Sequence, residues 1–315
     1  MEGRAIKPAI LAGTAHPALA AAIAQALDLP LSACRIERFP DGEVAIELRE
    51  PVRRKDMFIV QPTAPPVNEH LVELLALVDA CRRAAAGRIT AIVPYFGYAR
   101  SDKRAGHREP ITASMVAVLL QAVGVDQVVT VDLHAAQIEG FFHIPVDSLT
   151  AVPVLAAALH DYLPPGTAIV SPDAGRVRMA SEYAHRLDAP VVVLHKQRIS
   201  GTETHITHVV GDVRDRPCLI IDDMISTGGT IVEAVTALRS AGARPPIIVA
   251  ATHGLLLPGA QEKLVAAGID ALYVTDSIPI AIQSWPQLHV VSIAPLLAQA
   301  IQRLIGDGSL SELWR

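Results

Sequence analysis

CLIIDDMISTGGTIVEAV, residues 218–235, carries an apolar run into two adjacent acids, Asp222 and Asp223, and then into Ser226, Thr227, Gly228, Gly229 and Thr230. A short apolar run that ends at small polar residues and resumes with helical spacing predicts a buried strand, a tight loop and a helix. In an α/β sheet, ligands bind in the crevice beyond the carboxyl ends of the strands. Hydroxyls, clustered backbone N–H groups and a helix start there suit a phosphate, and the two glycines permit close approach. The acids do not suit a phosphate, but carboxylates accept hydrogen bonds from vicinal sugar hydroxyls. One ligand satisfies both halves of the loop: a sugar 5-phosphate laid lengthwise, its phosphate on the glycines and its ring over Asp222 and Asp223. The competing expectation is a capped strand-to-helix turn with solvated acids.

Outward from this stretch, β-rich runs alternate with helical ones nearly end to end, the pattern of parallel sheets flanked by helices. Strands are expected at PAILAG, DMFIVQP, RITAIVP and QVVTVDL, and then at TAIVSP, APVVVLH, CLIIDD, PIIVAA, ALYVTD and HVVSI. EHLVELLALVDACRRAAA and ASMVAVLLQAV have helical apolar spacing, the first with Asn68 as its expected N-cap. CRIERF and EVAIELRE flank Pro40-Asp41-Gly42 and predict an antiparallel hairpin that projects from the main sheet. Ten parallel strands are many for one open sheet, so two domains are expected. FIVQPTAPPVNEH and CLIIDDMISTGGT share a strand-loop-helix layout, a weak internal repeat between the halves. The boundary is expected between Pro145 and Thr150, giving domains 1–147 and 148–299, with the tail 300–315 returning to the first.

At 315 residues, 51% hydrophobic and 19% charged, the chain can bury one large core or two ordinary ones. A net charge of -5 leaves no electrostatic footprint for duplex nucleic acid, so the ligand is expected to be small. Cys34, Cys81 and Cys218 share no metal-ligand spacing and are read as reduced, buried thiols of a reducing compartment. Charged residues, proline or glycine interrupt every apolar stretch before the roughly 18 residues of a membrane span. The start, MEGRAIKPAILAGTAHP, lacks a signal-peptide layout, and a cytoplasmic location without membrane association is expected.

Asp-Asp, three residues and Thr-Gly-Gly-Thr resemble the phosphoribosyl diphosphate loop of type I phosphoribosyltransferases and of the ribose-phosphate diphosphokinase family. RFPDGE (38–43), PVNEHLVELL (66–75), VPYFGYAR (93–100), REPITA (108–113), VDLHAAQIEGFF (131–142) and VSPDAG (170–175) are similar to the diphosphokinases in order and spacing. The resemblance covers nearly the whole chain. It implies two related type I phosphoribosyltransferase-like domains, the first on the ATP side and the second binding ribose 5-phosphate. The implied reaction moves the β,γ-diphosphoryl group of ATP to the 1-hydroxyl of ribose 5-phosphate for nucleotide biosynthesis, leaving AMP. A phosphoribosyltransferase would need none of the N-terminal motifs. A non-catalytic regulatory subunit would be expected to have lost residues that this chain keeps.

By the same resemblance, Lys196 and Arg198 of HKQRISGTETH are catalytic flap cations, on a segment that stays mobile up to His208 until substrates bind. Mg²⁺ is the implied cofactor, on ATP phosphates near His134 and Asp173, with a second ion near Asp222 and Asp223. ATP contacts are implied for Phe39, Asp41 and Glu43 from a neighbouring subunit, and for Arg100, Ser101, Asp102 and His134 within the same one. The site therefore implies a homo-oligomer, with a dimer as the minimum unit and a hexamer compatible. Asp222, Asp223, Ser226, Thr227, Gly228, Gly229 and Thr230 are implied to hold the ribose 5-phosphate. Lys103, Arg104 and Arg108 with Ser309 and Ser311 correspond to a regulatory phosphate site. Several residues depart from the family pattern. Ser101 stands where Gln is common, and Ser226 where an acid is common. Gly106 and His107 replace Arg and Ser, Arg176 replaces a second Gly, and Met179 replaces an Arg, with Arg178 one place earlier.

Overall fold

The computed structural model describes residues 7–104, 106, 108–198, 204–282, 284–306 and 308–314, and only the backbone of 196–198, 204–207 and 314. The chain divides into two compact units. The first takes the described residues of Met1–Thr150, Ser277–Pro279 and Ile293–Arg315, the second those of Ala151–Asp276 and Ile280–Ser292.

In the first unit, β1 (Pro8–Ala12) leads to α1 (Pro17–Ala26), and β2 (Cys34–Arg38) and β3 (Val44–Leu48) form an antiparallel hairpin sheet of their own. β4 (Asp56–Val60), α2 (Val67–Arg83), β5 (Arg88–Val93), α3 (Thr112–Val123), β6 (Gln127–Val131) and β7 (Val146–Leu149) follow. The main sheet is parallel throughout, in the order β1-β4-β5-β6-β7. Met57, Ile59, Ala91 and Val128 of its strands are buried with Leu74, Leu77 and Val78 of α2 and Val116 and Leu120 of α3. The hairpin turns Cys34, Ile36, Ile46 and Leu48 toward that core. α2 starts after Pro66 with no side-chain cap, and Asn68, expected as the N-cap, accepts a hydrogen bond from the Tyr98 hydroxyl instead. Asn68 stands two residues past the N-cap, inside the first turn, where its side chain does not serve as the cap acceptor.

The second unit contains α4 (Val152–His160), β8 (Ala168–Ser171), α5 (Val177–Leu187), β9 (Val191–Arg198), β10 (Thr204–Val210) and β11 (Cys218–Ile225). α6 (Gly229–Ser240), β12 (Ile247–Gly254), α7 (Ala260–Ala267), β13 (Ala271–Thr275) and β14 (Leu288–Val291) complete it. Its seven strands run β10-β9-β8-β11-β12-β13-β14, parallel except for the antiparallel pair of β9 and β10. α8 (Ala294–Ile305) belongs to the first unit and packs on α1.

Three features differ from the sequence expectation. β7 and β10 are additional strands, the first short and polar at Asp147 and Ser148, the second rich in polar residues; both sit at sheet edges, where the apolar signal is weakest. Residues 204–208, read as part of a flap without a strand of its own, pair with β9 from Thr204↔Arg198 to His208↔His195, with an irregularity between Ile206 and His208. β11 does not end at the acids. It continues to Ile225, with Asp222 opposite Ala251 and Ile225 opposite Gly254 of β12.

Candidate active site

β8 pairs with β11 only over Cys218–Ile220, so β11 runs on past the end of its neighbour. The chain leaving β8 turns through a short 3-10 segment, Ala174–Arg176, beside that overhang. The Arg176 Nε lies 3.4 Å from Asp222 Oδ1 and 3.1 Å from Asp223 Oδ1. Their side chains are 12%, 12% and 2% exposed. The Asp223 N–H donates to Asp222 Oδ1 at 2.9 Å. Beyond Ile225 the loop is held by N–H donations from Leu256 to the Ile225 carbonyl and from Leu257 to that of Ser226. Gly228 has φ of 78°, and a Cβ there would meet Leu264 Cγ at 3.1 Å, so only glycine makes this turn without strain. α6 begins at the next residue with no side-chain cap, which leaves its first N–H groups directed at the strand-end crevice. Thr227 and Gly229 are exposed, and Ser226 and Thr230 half-buried. The arrangement can accept an anion at α6 and hydroxyl donors at the acids.

Burial pushes the Asp222 carboxyl well above the usual carboxylate range; the Asp223 charge adds to the shift, and the Arg176 guanidinium opposes it. A group whose value is raised by folding contributes fully below its ordinary titration range, and that contribution is lost as pH rises toward the raised value. Asp222→Asn abolishes this loss. The thermal midpoint of the variant relative to the native chain is expected to climb as pH rises from the ordinary carboxylate range toward the raised value of Asp222, in a calorimetric series without ligands. A constant or shrinking difference would contradict a burial-driven shift.

Asp173 Oδ1 accepts from the Gly175 N–H at 2.8 Å, and the Ser171 hydroxyl donates to the Asp173 carbonyl. His134 lies three residues beyond β6, half-buried, after Asp132 at φ 41°. Lys196 and Arg198 lie on β9 opposite Ile206 and Thr204; their side chains fall outside the described part, as does the flap tip 199–203. Among the described residues, no three of His, Cys, Asp and Glu converge as a metal cluster.

On the hairpin, the Phe39 N–H donates to the Glu43 carbonyl and the Glu43 N–H to Asp41 Oδ1, and Phe39 is 51% exposed. Arg100 is exposed, but Asp102 is buried and accepts from the Gln137 amide. The Ser101 hydroxyl bridges to Thr112, donating to its Oγ1 and accepting from its N–H at 3.2 Å, and so substitutes for a cap on α3. Lys103, Arg104 and Arg108 are exposed; His107 lies outside the described residues. Ser309 Oγ and Ser311 Oγ are 2.7 Å apart, and Arg303 donates to the Ser309 carbonyl and pairs with Glu312.

Sequence reading missed the buried network at the base of the hairpin. Glu73 is wholly buried and accepts from the Thr14 N–H and hydroxyl, each at 2.6 Å, from the Gln61 amide at 2.9 Å, and from Arg38 at 3.1 Å. Gly13 makes room, since a Cβ there would lie 2.2 Å from Gln61 Oε1. The available signal was phase: Glu73 stands four residues before Leu77 on the buried stripe of α2.

With this geometry in place, known proteins supply the class. Residues 8–124 match the N-terminal domain of ribose phosphate pyrophosphokinase, and residues 197–315 match the phosphoribosyl synthetase-associated domain. The Clostridium perfringens ribose-phosphate pyrophosphokinase is 42% identical over 322 residues, covering 100% of both chains. The Maricaulis maris one is 45% identical over 310 residues, covering 97% of this chain and 99% of the other. The crystal structure of phosphoribosylpyrophosphate synthetase from Mycobacterium smegmatis matches with a TM-score of 0.90 at 42% identity, over 96% of this chain and 100% of that one. The chain belongs to the ribose-phosphate pyrophosphokinase family.

Proposed function

We propose that the protein transfers the β,γ-diphosphoryl group of ATP to the 1-hydroxyl of ribose 5-phosphate, giving 5-phosphoribosyl 1-diphosphate and AMP. The observation that carries this reading is the joining, on one segment, of the Asp222 and Asp223 carboxylates and the glycine-initiated, side-chain-uncapped start of α6. The names of its full-length relatives support it.

The 5-phosphate sits on the N–H groups of the α6 start and the hydroxyls of Thr227 and Thr230, and the ring hydroxyls donate to the acids. This orients the 1-hydroxyl for in-line attack on the β-phosphorus of ATP. Lys196 and Arg198 neutralise charge as it shifts onto the transferred group and the departing AMP oxygen. Phe39, Asp41 and Glu43 approach the adenine from a second subunit, and Arg100 approaches the phosphates. Ser101 and Asp102 approach the nucleotide with Arg100, their side chains oriented by Thr112 and Gln137.

Mg²⁺ bound to ATP would neutralise the phosphate charge. A cation carried mainly by phosphates and water needs only one or two protein oxygens, which fits the lone carboxylate of Asp173 and the absence of a described three-residue cluster. His134, just past β6, is assigned to the ATP phosphates. Asp222 and Asp223 do not fit a second ion, because Arg176 already bridges them. Among the described residues no helix is long and apolar enough to cross a membrane, which accords with a cytoplasmic location. Cys81 and Cys218, unpaired and pushed up to about 12 and about 11 by burial, accord with a reducing compartment. Cys34 is half-buried, less than expected.

The test is nucleotide analysis with and without sugar. AMP should form only when ATP, Mg²⁺ and ribose 5-phosphate are all present. AMP or ADP formed equally without the sugar would overturn the reading.

A further inference from the structure

Two adjacent carboxylates withdrawn from water require a cation close by, supplied either by a metal or by a side chain. Here a side chain supplies it. The guanidinium of Arg176 touches Oδ1 of both acids, so one fixed positive charge serves the two carboxyl groups. The topology delivers it, since β8 stops short of the acids and the chain emerging from β8 fills the space beside them. The neighbouring arginine behaves differently. Arg178 is 79% exposed in its side chain and lies 3.7 Å from Glu182, one turn further along α5.

A guanidinium is permanently charged and donates without accepting, whereas each ionised carboxylate offers several lone-pair sites. The contacts from Arg176 and from the Asp223 N–H fall on Oδ1 atoms, and a carboxylate, with about four lone-pair sites, is suited to accept from sugar hydroxyls as well. A divalent ion seated on the same oxygens would face the fixed positive charge of Arg176 and would have to expel it.

We propose that Arg176 is the resident cation of the sugar-binding carboxylates, so that ribose 5-phosphate binds at Asp222 and Asp223 without a divalent ion of its own. The inference rests on the ribose 5-phosphate reading above. It makes Arg176 a positioning residue and confines the metal requirement of the reaction to the nucleotide.

The experiment is calorimetric titration of ribose 5-phosphate into the full-length protein, without nucleotide, in excess EDTA and in saturating Mg²⁺. The native protein is expected to bind the sugar with dissociation constants that agree within about threefold. Arg176→Gln, which keeps length and removes charge, is expected to bind at least about tenfold more weakly in EDTA and to recover most of that loss in Mg²⁺. Arg176→Lys should remain insensitive to the metal. Native binding that needs Mg²⁺ by about tenfold or more would overturn the proposal while leaving the sugar reading standing, and this arm needs no variant. A Gln variant that binds like the native protein in EDTA, or a Lys variant as metal-dependent as Gln, would also overturn it. Native protein that binds no sugar under either condition would remove the ribose 5-phosphate reading itself.

Discussion

Lys196→Ala and Arg198→Ala are each expected to lower kcat by about 10²-fold or more, with much smaller changes in KM for ATP and ribose 5-phosphate. A loss of this size corresponds to about 2.7 kcal/mol of transition-state stabilisation. Phosphoryl-type transfer offers a protein little covalent chemistry, so its rate depends on placing positive charge where negative charge accumulates only at the transition state. Both residues sit on β9, whose backbone pairing with β10 survives truncation to Ala, so the effect should appear in turnover and not in folding. Steady-state kinetics with thermal midpoints as the control decide the matter. Unchanged kcat would remove the pair from the mechanism.

The second large effect concerns Glu73. Truncation to Ala strips the acceptor from the Thr14 N–H and hydroxyl, the buried Gln61 amide and Arg38 in one step. Leaving such groups unpaired in the interior is expected to cost the first unit about 3 kcal/mol, or a fall in its midpoint of about 5–10 °C. Arg38 also meets Glu69 at 3.3 Å and is the last residue of β2, immediately before Phe39. The network therefore fixes the base of the hairpin proposed to reach the nucleotide, and Glu73→Gln, with stability partly restored, should still raise KM for ATP. A calorimetric change below about 0.5 kcal/mol for Glu73→Ala would show that the network carries no such load.

The parallel architecture was legible because its central strands are short apolar runs set between amphipathic helices, as at DMFIVQP before α2 and CLIIDD before α6. β7 was not, since VDSL has polar residues at two of its four positions. β10 was hidden because a strand such as THITHVV is defined by its antiparallel partner more than by its own pattern. Within the site, the acids and the glycine start of α6 could be read as one loop because they are contiguous. Arg176 could be noticed only as a departure from a family pattern. It stands 46 residues before Asp222 in the chain, and only the adjacency of β8 and β11 joins the two. Glu73, Gln61 and Thr14 have the same character, since each looks ordinary alone and the sheet and α2 bring them together.

The most direct test of the central claim follows the phosphorus atoms. With ATP labelled at the γ-phosphorus, Mg²⁺ and ribose 5-phosphate, the label should appear in 5-phosphoribosyl 1-diphosphate while AMP accumulates one for one. ADP as the stoichiometric nucleotide product, with the label on a sugar monophosphate, would contradict diphosphoryl transfer.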